Sequence, residues 1–247
     1  NTGVGAVTLN YNTTGNNNTG VGAVTLYSNT TGSQNTGVGS NVLQNITTQT
    51  NNTAIGYGAG NGGSADNVGN FNTFLGSNTY QNGSGTSNTY VGYAAYQGST
   101  NYSNSTAIGS GAVITASNQV QLGNINCTAQ ATSFNATSDY REKDNVMELD
   151  ETFTVDVLRP VVYDFKPLGK KHIGFIAHEV QEFYPFLVSG KKDGLHSQTM
   201  NYNGFIGILT KEIQVLKKKV FCMEAKALEQ DTRIQALEKM MSDLMNK

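Results

Sequence analysis

Ser138 and Lys143 stand five residues apart in the run Ser138-Asp139-Tyr140-Arg141-Glu142-Lys143. If the residues between them form a turn or hairpin, the lysine amine reaches the serine hydroxyl. Such a pair can work as nucleophile and base, provided that burial lowers the lysine pKa into a useful range. The other reading is structural: Ser138 or Asp139 caps a turn, and the charges that follow are solvated. Spacing alone does not choose between the two. His172, His178 and His196 have no metal-ligand spacing and read as polar surface or packing residues. Neither a metal nor a cofactor is expected.

The run sits on a sharp boundary. Every Lys, Arg, His and Pro lies after residue 137, and before that point Asp66 is the single charged side chain. Two differently built segments are joined here. The first is rich in Asn, Thr, Gly and Ser, yet it is nearly neutral and has regularly spaced apolar residues, unlike a disordered tract. The second holds all 16 Lys+Arg and all but one of the 18 Asp+Glu, close to balance. Without a polybasic patch, no nucleic-acid partner is expected. Nor is membrane insertion, since no apolar run is long enough to span a bilayer. Cys127 and Cys222 flank the boundary and define no disulfide framework.

The elements around the boundary are legible as periods. Asn-Thr recurs at Asn1, Asn18, Asn35, Asn52, Asn72 and Asn88, with a last copy at Ser105-Thr106, at spacings of 17, 17, 17, 20, 16 and 17 residues. Each copy continues to a branched apolar residue and Gly: Val4, Val21, Val38, Ile55, Leu75, Val91 and Ile108 precede Gly5, Gly22, Gly39, Gly56, Gly76, Gly92 and Gly109. A short fixed period predicts stacked rungs, and Thr/Val/Ile pieces separated by Gly and Asn favour strands and tight turns. The seven apolar residues are expected to point at a shared interior. One per rung is too little for a monomer to bury a core of its own, so several chains stacked around one axis are expected to supply it. Asn and Thr ladders would satisfy the polar groups between rungs. Sequons such as Asn12-Thr13-Thr14 and Asn45-Ile46-Thr47 arise by chance in such a tract.

After the boundary, Phe153–Leu158 and Val161–Phe165 read as strands and Ile176–Phe183 as a short helix. From Ile206 onward apolar residues alternate at steps of three and four: Ile206, Leu209, Ile213, Leu216, Val220, Met223, Ala227, Gln230, Ile234, Leu237, Met241 and Leu244. Eleven of these twelve are apolar, which predicts a coiled-coil seam. With Ile206 at position a, the flanking g and e residues pair as Glu212–Lys217, Lys219–Glu224, Lys226–Asp231 and Arg233–Glu238, all opposite in sign, as a parallel in-register bundle requires. Ile/Val at a with Leu at d leans toward a dimer, and the array asks for three chains. A trimer is the expectation.

Two resemblances carry this further. The stretches NTAIGYGAG (52–60) and STAIGSGAVITASNQVQLG (105–123) resemble the head repeats of trimeric autotransporter adhesins, left-handed parallel β-rolls wound by three chains. Repeats of this style also occur in phage tail fibres and giant-virus surface proteins. The second resemblance rests on SDYREK (138–143), IGFIAHEVQEFYPFLVSG (173–190) and MNYNGFIGILTKEIQVLKKKV (200–220). Together they resemble the intramolecular chaperone domain of endosialidase-type tail spikes, the S74 peptidase family. Ser138, Asp139, Arg141 and Lys143 match its first block, and Gly174, Ile176, Ala177, Glu179 and Val180 its second. Pro185, Leu187, Val188, Tyr202, Ile213 and Gln214 match the rest. His178 and Phe186 depart from it, standing where the family has Gln and Glu.

The resemblance implies a chaperone that trimerises, templates the stalk upstream and then cuts itself off. Carried over, Ser138 Oγ attacks the carbonyl of Thr137, Lys143 takes the proton, and water resolves the ester. This is a self-cleaving serine peptidase acting once, in cis, with no other substrate expected. A fibrous trimer gains from a template because its contacts are non-local, and removing the template leaves the stalk behind a high unfolding barrier. The expected fold is a mainly β trimeric parallel β-roll stalk over 1–126 and a linker over 127–137. A small α/β chaperone domain over 138–204 and a trimeric parallel coiled coil over 205–247 follow. The expected partners are a homotrimer and, through the array, a host surface receptor or glycan. A bare spacer stays open as an alternative for the array. The expected location is a virion surface or tail fibre. A trimerisation cap that does not cleave, and an adhesin head without enzymatic activity, are the rival readings. The adhesin reading predicts a membrane anchor after the coiled coil.

Overall fold

The structure, a computed structural model, describes residues 1–62, 68–98, 101–129, 137–194 and 197–245. Asp66, His196 and most of the linker expected over 127–137 lie outside them. The chain divides into two units, residues 1–135 and 136–247.

The first unit is a parallel β-solenoid of about seven turns over residues 2–122. Its strands in chain order are β1 (Thr2–Val4), β2 (Thr19–Val21), β3 (Thr36–Val38), β4 (Thr53–Ile55), β5 (Thr73–Leu75), β6 (Thr89–Val91), β7 (Tyr96–Gln97), β8 (Thr106–Ile108), β9 (Val113–Ile114) and β10 (Val120–Leu122). One sheet runs β1-β2-β3-β4-β5-β6-β8-β10, with Thr on Thr and Val on Val or Ile in register. β7 and β9 pair in parallel on another face. The rung through β10 carries no Asn-Thr signature. Gln119 takes that place, and its amide donates to Ser105 Oγ at 3.2 Å.

The repeated glycine is a geometric requirement. Gly5, Gly22, Gly39, Gly56, Gly76, Gly92 and Gly109 have φ between 117° and 137°, a region that side chains rarely enter. A Cβ on Gly39 would also lie 2.7 Å from the Gly56 carbonyl oxygen in the next rung. The repeated Asn has an equally definite task. Asn1 Oδ1 accepts the Asn18 amide (2.8 Å), and the pattern continues from Asn18 to Asn35 (3.0 Å), Asn35 to Asn52 (3.0 Å), Asn52 to Asn72 (2.9 Å), Asn72 to Asn88 (2.9 Å) and Asn88 to Ser105 (2.9 Å). The Asn18 and Asn35 side-chain nitrogens donate to the carbonyls of Gly32 (2.7 Å) and Gln49 (2.8 Å).

The structure corrects the expectation that a single chain cannot bury a core. Each chain has one of its own, and the seven repeated branched residues are not in it. Val4, Val21, Val38, Ile55, Leu75 and Ile108 are 37–58 % exposed, and Val91 is half-buried. The reason is strand alternation: in Thr-x-Val the middle residue faces inward, and its neighbours face out. Ala54, Phe74, Tyr90 and Ala107 fill that inward place, packed with Leu26, Val42, Leu43, Ile46 and Ile114. The branched residues form an apolar stripe on the outer face of the sheet. The sequon side chains are engaged as well: Asn12 Nδ2 donates to the Gly15 carbonyl, and Asn45 Nδ2 to Asn61 Oδ1.

In the second unit β11 (Val161–Phe165) and β12 (Lys170–Gly174) form an antiparallel pair, as do β13 (Val188–Ser189) and β14 (Thr199–Met200). Helix α1 spans Ala177–Phe183 and α2 spans Gly204–Met245. The core holds Val180, Tyr184, Leu187, Val188, Phe205 and Ile208. Phe153–Leu158 is not a strand, contrary to its reading from sequence. The Tyr184 hydroxyl takes both backbone groups of Thr154, accepting from its N–H (2.9 Å) and donating to its carbonyl (2.7 Å). The Thr154 hydroxyl caps a 3₁₀ turn at Val155–Val157. Those groups are then lost to a ladder.

Helix α2 is two-faced. Phe205 and Ile208, at g and c of the heptad, are buried, and Glu212 at g accepts the Val155 amide at 3.3 Å. The seam is left free: Ile206, Leu209, Ile213, Leu216, Val220, Met223, Ile234, Leu237, Met241 and Leu244 are 44–73 % exposed. Among the described residues, no helix is long and apolar enough to cross a membrane.

Asn35→Ala should destabilise the solenoid by about 1–3 kcal/mol, because the buried Asn52 amide loses its acceptor. Asn16→Ala, at an exposed side chain one rung earlier, should stay within about 0.5 kcal/mol. Urea unfolding followed by circular dichroism reads both, and equal effects would refute the ladder's role.

Candidate functional site

The hexapeptide at the boundary folds as a capped turn. Residues Tyr140–Glu142 form a single 3₁₀ turn with Asp139 as its N-cap. Asp139 Oδ1 accepts the Arg141 amide (2.9 Å) and Nε (2.9 Å), and Oδ2 accepts Nη2 (2.6 Å). The Lys143 amide closes the turn on the Tyr140 carbonyl at 3.2 Å. The lysine side chain is thereby carried back to its starting point, and Nζ donates to Ser138 Oγ at 2.6 Å. Both readings of the sequence meet here. Asp139 caps, leaving Ser138 uncapped and in contact with Lys143.

The Arg141 guanidinium, and then its amide, hold the Asp139 carboxyl below its ordinary pKa. The pair therefore stays ionised at neutral pH and fixes the turn as a clamp. Thr137, Ser138 and Lys143 are exposed in the single chain, so the bond between Thr137 and Ser138 is open to solvent. In this geometry Nζ is the donor and the hydroxyl oxygen the acceptor. Nucleophilic attack needs the reverse transfer, from hydroxyl to a neutral amine, and desolvation is what favours that form of lysine.

The remaining residues of the family blocks lie on other elements and support the unit. Gly174 ends β12, where a Cβ would stand 2.6 Å from the Tyr202 hydroxyl. Glu179 on α1 makes a bidentate ion pair with Arg159, which lowers its pKa. His178 is half-buried on α1. Phe186 is exposed and packs its ring edge-on to Tyr184, with centroids 6.1 Å apart. His172 packs between Tyr163 and Phe165. Cys127 and Cys222 are exposed and free.

Several partners escaped the sequence reading. Arg159 lies 20 residues from Glu179, and Tyr184 lies 30 from Thr154, so no local pattern announces either pair. Glu212, expected to pair with Lys217 across chains, is held within its own unit. Hydrogen bonds from the Thr154 hydroxyl and the Val155 amide lower its pKa.

Residues 138–189 match the family model of Peptidase_S74, the chaperone of endosialidase. The matched segment opens on Ser138 and takes in the capped turn, Gly174 and Glu179. The match supports a chaperone role for the C-terminal unit and implies autoproteolytic activity in general. No curated protein and no solved structure matches the chain.

The clamp should respond to acid in a defined direction. A depressed carboxyl pKa stabilises the turn above the ordinary carboxylate value of about 4, and that contribution is lost as pH falls through the depressed value. The protection of the Arg141 amide, the slowing of its exchange relative to an unstructured peptide at the same pH, should thus be high at pH 6 and lost below that transition. Asp139→Asn should lower the protection throughout. Amide exchange by NMR measures this, and a wild-type protection that does not change with pH would contradict the clamp.

Proposed function

We propose that the C-terminal unit, which opens on the chaperone-of-endosialidase match, is an intramolecular assembly chaperone. It draws three chains together through α2, aligns their solenoids and then releases itself by cutting between Thr137 and Ser138. The observation that carries the reading is the 2.6 Å contact of Lys143 Nζ with Ser138 Oγ at the first residue of the matched segment.

Two further features support the association step. The α2 seam stays exposed although the first turns of the same helix bury a different face, so intramolecular docking does not use the seam. The g and e charges flanking it are complementary between parallel copies, apart from Glu212, which is engaged within its unit. On the solenoid, the outer stripe from Val4 to Ile108 is an apolar surface in register from rung to rung, suited to other copies of the same stripe. Three copies of the chain are thus the occupant of both surfaces.

In the mechanism, the clamp holds Lys143 against Ser138, and a neighbouring copy covers the dyad as the trimer forms. Desolvation then favours the neutral amine, which takes the Oγ proton as Oγ attacks the Thr137 carbonyl. The Thr137 acyl group passes to Oγ as its bond to the Ser138 nitrogen breaks, Lys143 returns the proton to that nitrogen to give a free amine, and water hydrolyses the ester. Coupling the cut to trimerisation keeps the template attached until the stalk is assembled. The released fibre would belong to a virion surface or tail.

Ser138→Ala should abolish the cut, and Lys143→Ala should slow it severely. Both variants should remain trimeric, since neither residue lies in the seam. Leu216→Pro should block assembly and cutting together, because proline in a helix interior costs about 3 kcal/mol. Intact mass and light scattering on the purified chain read all three. Cutting before residue 138 in Ser138→Ala protein would point to an external protease, and a monomeric or dimeric wild type would sink the trimer.

A further inference from the structure

The sixth residue after each rung's Asn has a left-handed backbone. Val7, Val24, Asn41, Asn78 and Ala94 occupy this place with φ of 50–59°, and Gly58 and Gly111 do so at 63°. Since even branched Val adopts this conformation here, the backbone does not demand glycine at 58. What Gly58 supplies is space: a Cβ there would lie 2.9 Å from Asn78 Oδ1.

The result is a hollow of about 200 Å³ lined by Asn41, Tyr57, Gly58, Asn61, Asn78 and Tyr80. Its parts are set for recognition. The Tyr57 ring is 58 % exposed. Tyr80 is fixed by stacking on Tyr96, with centroids 4.9 Å apart and planes 11° apart. Asn61 is held by Asn45 Nδ2 at 2.8 Å. The side-chain amides of Asn41 and Asn78 make no hydrogen bond within the described residues, and each offers donors and an acceptor. They stand two rungs apart, about 10 Å at ~4.8 Å per rung, and Asn78 Oδ1 reaches over Gly58 between them.

The surroundings narrow the ligand class. Residues 1–137 contain no Lys, Arg or His, and Asp66 is their one acid. No charged ligand finds a counter-ion in the hollow. Burial first, and Tyr96 second, push the Tyr80 hydroxyl above its ordinary pKa, which keeps it a neutral donor. Aromatic faces, free amides and the absence of charge together suit a ligand with an apolar C–H face and a rim of hydroxyls.

We infer that this hollow binds a neutral saccharide, its ring against Tyr57 and Tyr80 and its hydroxyls on Asn41 and Asn78. The inference goes beyond the chaperone reading and stands whether or not the chain is cut at Ser138.

The test is saturation-transfer NMR on the full chain with lactose, maltotriose, N,N′-diacetylchitobiose and 3′-sialyllactose as probes. At least one neutral sugar should bind. Gly58→Val should weaken it by about tenfold or more, because the side chain fills the hollow at a backbone that Val7 and Val24 already tolerate. Gly111→Val, at the equivalent position of another rung, controls for folding and should leave binding within about twofold. Asn78→Ala should weaken binding without changing the circular dichroism. Binding of no neutral probe, stronger binding of sialyllactose than of lactose, or equal effects of the two glycine variants would overturn the proposal.

Discussion

A buried asparagine side chain standing in for a strand is the interaction on which the solenoid depends. A rung three residues wide satisfies few of its own backbone groups, and its corners leave amides facing inward. Each Asn carboxamide answers two of them, accepting the next rung's amide and donating to a carbonyl at the far corner. A carboxylate would lack the donor and bury a charge, and an apolar residue would lack both. The 20-residue rung shows the limit of the scheme. Asn52 still accepts from Asn72, but among the described residues its own Nδ2 is buried without a partner.

Much of this was legible as period and little of it as direction. The spacing of Asn-Thr copies announces stacked rungs because each copy must meet its neighbour in register. The core within each chain was missed because alternation hands it to the residue between Thr and Val, not to the repeated Val and Ile. That residue varies from Gly to Tyr90 along the array, and this variation was the missed signal. The capped turn at Ser138 was readable for the same reason as the period: its parts lie within six residues. Phe153–Leu158 failed because its conformation is decided by Tyr184, a partner remote in sequence and invisible to local propensity. The amides of Asn41 and Asn78, unbonded among the described residues, likewise come together only when three rungs stand above one another.

The second unit separates two tasks that one helix could have confused. Phe205 and Ile208 anchor α2 in a core that a single chain completes, together with Tyr184 and Leu187. The residues one position further along, Ile206 at a and Leu209 at d, are not part of it. A chaperone built this way can fold before it associates, because its own packing does not compete with its seam. Glu212 marks the boundary, a heptad g residue spent on the intramolecular side.

The Phe74–Tyr90 pair carries a consequence for alignment. Residues 1–9 and 18–26 have identical sequences, so the first rungs are interchangeable, and a coil of such rungs could wind one step out of place with little loss. Phe74 and Tyr90 stack at 4.9 Å with planes 3° apart, and the Tyr90 hydroxyl meets Gln97 at 3.1 Å. A one-rung slip would set Tyr90 on Ala54 and empty the space beside Phe74. The aromatic rungs therefore act as an index mark in an otherwise degenerate ruler, and winding that reaches them in the wrong phase has a reason to unwind and begin again.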